Sequence, residues 1–302
     1  DIATLTVARV LQGLGAAVGA VLSRAIVRDM HEGEAMQRIL NIMALILSCG
    51  PSLSPFVGGL LVDHVGWRHV FSFMALYGAL LLAFLWLVLP ETNMERSVSR
   101  ARPARVLRQY RELVTAPRFI LPTVVATLLT SVLYAIAGVL PYVFIGVMGM
   151  SPAAFGSWSL LPPLSFTLGS LLYGRIVRHA RLASLIRAAV AVMTLAVLAL
   201  PVLIYGHGPS ALAVIAPLCV VMFATALITP LMWSVPLMPF GHAAGAAAAL
   251  FGFTQYGMGL LGSALASLFP DPVTAVVVVP MMMVGGGAAL WLLFWSKVVG
   301  RP

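Results

Sequence analysis

The sequence predicts an all-α polytopic membrane protein, and three observations lead to that class. Hydrophobic residues make up 61% of the chain and charged residues only 9%, whereas typical soluble domains carry about 25% charged residues. Nine apolar runs reach the length of about 20 residues that a helix needs to cross a bilayer. The net charge is +9, but the basic residues cluster on alternate loops between these runs. That distribution follows the positive-inside rule and argues against nucleic-acid binding.

The predicted spans are joined by short connections, with one long loop among them. They cover residues 2–26, 39–62, 70–89, 119–143, 155–176, 185–205, 212–232, 243–268 and 273–295. The long loop holds seven Arg against three Glu and is placed on the inside, as is the C-terminus. We therefore predict a first part of three spans over 1–90, a cytoplasmic loop over 91–118 and a six-helix bundle over 119–302.

The long loop carries a short apolar stripe. Val106, Leu107, Tyr110, Leu113 and Val114 share one face of a helix. This pattern predicts an amphipathic helix lying along the membrane surface. A solvated linker is the alternative.

The first span contains a charged residue, Arg9. A charge at the centre of a spanning helix costs about 2.5–3.5 kcal/mol on insertion scales, so such residues usually face a protein interior or a wet cavity. Gln12 and Gly13 follow one turn later, and small residues continue the stripe to Ser23. We expect a functional, inward-facing stripe. The alternative is a packing stripe whose Arg9 reaches the nearer membrane edge.

The second span is rich in residues that bend helices or allow close packing. Pro51 and Pro55 each remove a helix hydrogen bond, and Gly58 and Gly59 expose backbone to a neighbouring helix. These residues predict a bent, closely packed element that moves. Pro and Gly are common in spanning helices, so an ordinary packing role is the alternative.

Little in the sequence points to an enzyme. An intramembrane enzyme needs a Ser/His pair or paired carboxylates at membrane depth, yet all six His residues lie in predicted loops or at helix ends. No Asp or Glu lies deep in a predicted span, and no Walker-type phosphate loop is present. Cys49 and Cys219 fall in apolar runs and are interpreted as small buried residues. We expect no enzymatic activity, no metal and no bound cofactor.

Several motifs resemble a known transporter family. Residues 9–15 (R-x-x-Q-G-x-G) and 23–29 (SRAIVRD) are similar to the fourth helix and following loop of the major facilitator superfamily. Residues 54–59 (SPFVGG) resemble its antiporter motif, with Ser54 in place of the usual first Gly. The likeness continues through residues 66–71, 89–92, 150–156 and 244–250. Of the superfamily, the chain most resembles the Bcr/CflA branch of drug–proton antiporters.

The resemblance implies a major facilitator fold with twelve helices, of which nine, helices four to twelve, are present here. It implies alternating access driven by the proton gradient, in the inner membrane of a bacterium. Arg9, Gln12 and Gly13 would serve coupling, while the proton-carrying acid would come from the absent helices. The hinge would comprise Pro51, Ser54, Pro55, Gly58 and Gly59, and the cytoplasmic loop would use Arg28, Asp29 and Arg38.

The implied partners are the lipid bilayer and a small-molecule substrate, bound in an apolar cavity near the midplane. The candidate lining residues are Met43, Leu47, Tyr134, Trp158, Phe251 and Gln255. Aromatic and Met side chains suit varied apolar or cationic guests, although each could instead pack in the core or face lipid. We expect a monomeric exporter of drugs or other amphipathic molecules. An exporter of amino acids or sugar derivatives, or a non-transporting fragment, is the alternative.

Overall fold

The computed structural model describes residues 1–31, 33–89, 103–177 and 182–298. Every regular element in these ranges is helical, and they contain no strand, so the predicted all-α class is confirmed. The α-helices are α1 (Ile2–Met30), α2 (Gly33–Val65), α3 (Trp67–Val88), α4 (Pro103–Thr115), α5 (Pro117–Thr130), α6 (Val132–Ile136), α7 (Pro152–Trp158), α8 (Leu161–Ile176), α9 (Leu182–His207), α10 (Ala211–Leu237), α11 (Ala244–Ala266) and α12 (Pro272–Val298). A π-helix, Tyr142–Val147, and a 3₁₀-helix, Met238–Ala243, complete the described set.

Local chemistry explains several helix ends. Ser151 and Ser210 cap the starts of α7 and α10 by accepting hydrogen bonds from backbone N–H groups three residues on. Gly66 ends α2 with a φ of +86°, a conformation that residues with a Cβ rarely adopt, and its N–H donates to the carbonyls of Leu61 and Val62. The chain then turns directly into α3.

Seven of the nine predicted spans lie on single helices, and two are broken. The run 119–143 is divided among α5, α6 and the start of the π-helix, and the run 155–176 is divided between α7 and α8. In the second case Pro162 and Pro163 follow the break. Neither residue can donate a helix hydrogen bond to the turn before it, which favours a break at that point.

Five helical stretches in the described ranges are long and apolar enough to cross a membrane. They are Ile2–Gly19, Trp67–Val88, Ala183–His207, Ala211–Ala266 and Pro272–Phe294, of which the fourth contains both α10 and α11. Helix α5, taken together with α4, makes a sixth candidate that bends by 78°. By length and composition, these helices are those of a protein that crosses the membrane repeatedly.

The described residues fall into two compact units, the first within 1–51 and 68–100 and the second within 52–67 and 101–302. In the second unit, α10 packs against α8 and α9, α11 against α6, and α12 against α5. Its core is made of fully buried aliphatic and aromatic side chains, among them Leu129, Ile136, Phe144, Met193 and Val284. In the first unit, residues 1–19 are all exposed and α3 buries no side chain.

Helix α4 packs against α5 and α11 in the second unit, and its apolar residues differ in burial. Leu113 is fully buried against Phe119, Phe240 and Ala247. By contrast, the side chain of Leu107 is 71% exposed and that of Val114 is 50% exposed. The predicted helix is present, and one of its apolar residues docks against the bundle. The side chain of Val106 lies outside the described residues.

Candidate functional site

Arg9 is held by two partners within the first unit. Its Nη1 donates a hydrogen bond of 2.8 Å to Oε1 of Gln12, one turn along α1. Its Cζ also lies 5.0 Å from the centre of the Phe71 ring, a cation–π contact from α1 to α3. Arg9 lies seven residues after Ile2, the first residue of α1, which places it about 10 Å along the helix at 1.5 Å per residue. The predicted Arg9–Gln12 pair is thus in direct contact, although its role in coupling stays a prediction.

The end of α2 crosses α7 through two glycines. A Cβ placed on Gly59 would collide with the carbonyl oxygen of Pro152, and one placed on Gly156 would lie 2.6 Å from the carbonyl oxygen of Pro55. Each helix therefore offers bare backbone to the other, so neither glycine can be replaced without moving a main chain. This is the close approach that small residues permit between spanning helices.

Asp63 extends this crossing by one helical turn. Its Oδ2 accepts a hydrogen bond of 2.9 Å from the backbone N–H of Ala153, at the start of α7. The N–H of Ala154 next to it is satisfied by Ser151, at 3.1 Å. Pro55, Gly59 and Asp63 recur every four residues and so lie on one face of α2.

The other predicted hinge residues contribute less to the described contacts. A Cβ on Gly58 would meet no described atom within 4 Å, Ser54 is exposed and Pro55 is half-buried. The side chain of Pro51 lies outside the described residues. Helix α2 runs from Gly33 to Val65 as one helix that includes both prolines.

The predicted cavity residues are distributed over several helices. Phe251 is fully buried and packs against Trp233 with ring centres 5.2 Å apart. Tyr134 is 46% exposed and meets Tyr256 edge to face at 5.6 Å. Trp158 is half-buried and packs on the main core. Their lining of a substrate cavity stays a prediction.

The remaining predicted residues lie in the first unit. Met43 is half-buried and Arg38 is exposed. The side chains of Leu47, Arg28 and Asp29 lie outside the described residues. Gly13 is exposed, and a Cβ placed on it would meet no described atom within 4 Å. A surface groove of about 610 Å³ runs along α3 and is lined by apolar residues. None of the predicted cavity residues lines that groove.

Gln255 joins α11 to the break between α5 and α6. Its side-chain Nε2 donates to Oγ1 of Thr130 at 3.3 Å, while its backbone carbonyl oxygen accepts from Oγ of Ser131 at 2.9 Å. All three residues are buried. Thr130 ends α5 and Ser131 lies between the two helices, so one residue of α11 bonds both the end of α5 and the residue at the break.

Neighbouring parts of α11 reinforce the same contact. A Cβ on Gly259 would lie 2.7 Å from Cβ of Tyr134, and one on Gly262 would collide with Cβ of Ala135. The helices α6 and α11 therefore pack at backbone distance next to the polar cluster. The buried hydroxyl of Thr123, earlier in α5, makes no hydrogen bond to the described residues.

On the side of the second unit where α4 docks, a polar contact accompanies the buried cluster. Nε2 of His242 lies 3.0 Å from Oε1 of Glu112, and both side chains are about half exposed. The pair is an ion pair only when His242 is protonated, and a pair so exposed contributes little to stability. Among the described residues, no group of three or more His, Cys, Asp or Glu side chains could hold a metal.

The contacts of Asp63, Gly156 and Ser131 were not predicted from the sequence. Asp63 lies just beyond the predicted second span, 39–62, although its spacing of four from Gly59 places both on one helix face. Gly156 was part of a motif, and nothing local identifies α2 as its neighbour. Ser131 carries no signal of a helix break, because the sequence has neither Pro nor Gly beside it.

Comparison with known proteins decides the family. The profile of the Major Facilitator Superfamily matches residues 1–263, which is most of the chain. The chain belongs to the Major Facilitator Superfamily. The resemblance deduced from the motifs is therefore confirmed, and a chain of this superfamily with these membrane-length helices is a multi-pass membrane protein.

Several relatives are similar over nearly the whole chain. The uncharacterized MFS-type transporter YdgK of Bacillus subtilis is 29% identical over 279 residues, 91% of this chain and 68% of its own length. The multidrug resistance protein D of Escherichia coli is 26% identical over 90% of this chain and 67% of its own. The bicyclomycin resistance protein homolog of Haemophilus influenzae is 23% identical over 90% and 68%. The chain spans about two thirds of the length of these relatives, down to 65% for two transporters from Rickettsia.

Proposed function

We propose that the complete protein exports drugs or other small amphipathic molecules by alternating access, using the proton gradient of a bacterial inner membrane. Membership of the Major Facilitator Superfamily supports transport rather than enzymatic catalysis. The relatives named for bicyclomycin and multidrug resistance support drugs as the cargo.

The observation that carries this proposal is the charge of Arg9 within an apolar helix. The guanidinium costs free energy at that depth, and Gln12 and Phe71 hold it in place. An arginine stays protonated in proteins, so Arg9 cannot itself carry the coupled proton. Its fixed charge can instead lower the proton affinity of a nearby acid, which releases its proton when the substrate or a conformational change alters that pairing.

The energy available fits this role. One proton moving inward yields about 2.3 kcal/mol per 100 mV, which sustains a gradient of roughly fifty-fold for each charge moved. Export therefore needs no ATP.

Dye efflux from cells tests the proposal. The complete protein is expressed in a drug-sensitive bacterial strain, and export of a fluorescent cationic dye is followed with and without an uncoupler. We expect the energised cells to export the dye and the uncoupler to abolish this export. We expect the Arg9→Ala variant, expressed at the same level, to show no export either. Arg187→Ala is the matched control. Like Arg9, Arg187 donates a hydrogen bond to a side chain of its own helix, from Nη2 to Oγ of Ser184 at 3.4 Å, but it lies near the helix start.

Two results would contradict the proposal. One is export that continues unchanged in the uncoupled cells. The other is export in Arg9→Ala at the level of the Arg187→Ala control. If the cells show no dye or drug phenotype but release an amino acid or sugar derivative, the exporter carries a metabolite instead.

A further inference from the structure

The contact between Asp63 and α7 is unlike the other caps formed by the described carboxylates. Asp1 and Asp271 cap the helices that they themselves begin, by accepting from Thr4 and from Val273 and Thr274. Asp63 lies near the end of α2 and accepts instead from Ala153, 90 residues further along the chain. Its hydrogen bond therefore joins two helices, and it exists only while they are in contact.

The glycine crossing fixes where the two helices meet. Gly59 and Gly156 face each other's main chains so closely that a Cβ on either would have to displace backbone atoms. Such a crossing is held mainly by short-range packing, which is lost after a small separation. A charge-assisted hydrogen bond one turn away adds an interaction of a different kind, roughly twice as strong as a neutral hydrogen bond.

The start of α7 is suited to receive this carboxylate. Its first residue, Pro152, has no N–H, so the first free donor is the N–H of Ala153. Ser151 satisfies the N–H of Ala154, which leaves the N–H of Ala153 to Asp63. The donor thus has its partner while α2 is in contact and loses it when α2 moves away.

We propose that Asp63 is a positioning residue that latches α2 to α7 and holds this end of the protein closed. Because the 91–118 loop after the third span is predicted to be inside, the turn between the second and third spans is predicted to be outside. Release of an exported molecule would require this outer end to open. The inference rests on the proposed transport function for its purpose, but the latch itself can be observed without transport.

The hydrogen bond of Asp63 stabilises the latched state relative to the open state, so removing it should shift the equilibrium between them. Replacing a capping side chain with Ala changes the stability of a cap enough to shift an equilibrium by about two- to thirty-fold. Asp63→Ala should shift the protein toward the open state by a factor in that range. Asp63→Asn keeps an acceptor oxygen without the charge and should shift it by a smaller factor.

A thiol-labelling experiment on the purified complete protein in detergent tests the latch. Every native cysteine of the complete protein, including Cys49 and Cys219, is replaced by Ala. Ala153→Cys becomes the reporter, because Ala153 is half-buried beside the crossing. The substitution keeps the backbone N–H that Asp63 binds. The initial rate of labelling by a maleimide then reports how often the two helices separate.

We expect the rate to rise from Asp63 to Asp63→Asn to Asp63→Ala. Asp271→Ala is the matched control, since it removes an exposed carboxylate cap that lies within its own helix end, and its rate should equal that of the parent. If Asp63→Ala fails to fold, Asp63→Asn decides, with a raised rate supporting the latch. A parental rate in every folded Asp63 variant, or an equal increase in Asp271→Ala, would overturn the inference. Because labelling needs no transport, the labelling experiment can contradict the latch while the efflux assay supports export, and it can support the latch while the efflux assay contradicts export.

Discussion

Gln255 shows how a single buried amide can organise a broken span. Gln255 is a predicted cavity-lining residue, and in the structure it is 8% exposed and bonded to Thr130 and Ser131 at the end of α5. Polar contacts between spanning helices average about 0.6 kcal/mol and reach about 1.7 kcal/mol. The side-chain bond of Gln255 is therefore a modest but specific tie between α11 and the break.

Gln255→Leu should lower the free energy of unfolding by about 1 kcal/mol, because it removes the hydrogen bond to Thr130 while keeping an apolar side chain of similar size. Thermal unfolding of the purified complete protein measures this. Thr254→Val is the matched control, since the hydroxyl of Thr254 donates to the carbonyl of Leu250 in its own helix and, among the described residues, to no other helix. Equal losses in the two variants would show that Gln255 does not tie the helices together.

Asp271 illustrates a carboxylate whose environment is local. The hydroxyl of Thr274 donates to it at 2.7 Å, and this bond, with those from the N–H groups of Val273 and Thr274, lowers its pKa although burial acts in the opposite direction. A lowered pKa means that this cap contributes stability above the pKa of the unfolded chain and loses it as the pH falls through the folded value. The cap belongs to α12 alone, which is why it serves as the control for Asp63.

At the scale of elements, the two adjacent glycines of α2 have different surroundings. The sequence marks Gly58 and Gly59 alike as sites of close approach, but only Gly59 lies against a described neighbour, the backbone of α7. Which of two adjacent glycines faces a partner depends on how the helix is rotated. That rotation is set by contacts with residues about 90 positions away, which no local pattern contains.

Gly59→Ala should impair packing and export, because the added methyl group must displace the backbone of Pro152, and overpacking typically costs about 1–3 kcal/mol. Gly58→Ala adds the same methyl group to the same helix where no described atom lies within 4 Å, and should be close to neutral. Unfolding temperature and dye export of the two variants provide the comparison. A Gly58→Ala variant as defective as Gly59→Ala would mean that the loss reflects the helix itself and not the crossing.

The sequence predicts α4 as an amphipathic helix, but it does not predict which of its apolar residues pack against the bundle. Its apolar stripe is short, and the structure directs Leu113 into a cluster with Phe119, Phe240 and Ala247. The 78° bend that turns α4 away from α5 brings Leu113 to that cluster. Periodicity identifies which residues share a face, but it does not identify what covers that face.

At the scale of the whole molecule, composition and apolar length were sufficient to predict the class. Seven predicted spans coincide with single helices because long apolar runs in lipid must satisfy their backbone internally, and a helix does this. The two broken spans were not predicted, since the run 119–143 is continuous in hydropathy, and the hydrogen bond from Ser131 to Gln255 at its break joins residues 124 positions apart. Motifs identified the family, while the pairing of Asp63 with α7 required the fold.

Drug-induced proton release is the most direct test of the central claim that export is coupled to protons. The complete protein, purified in detergent in a weakly buffered solution with a pH indicator, is mixed with a substrate identified by the efflux assay. The account predicts release of protons on binding at a pH where the coupling acid is protonated, and a loss of that release in Arg9→Ala. Binding of the drug with no exchange of protons at any pH would contradict it.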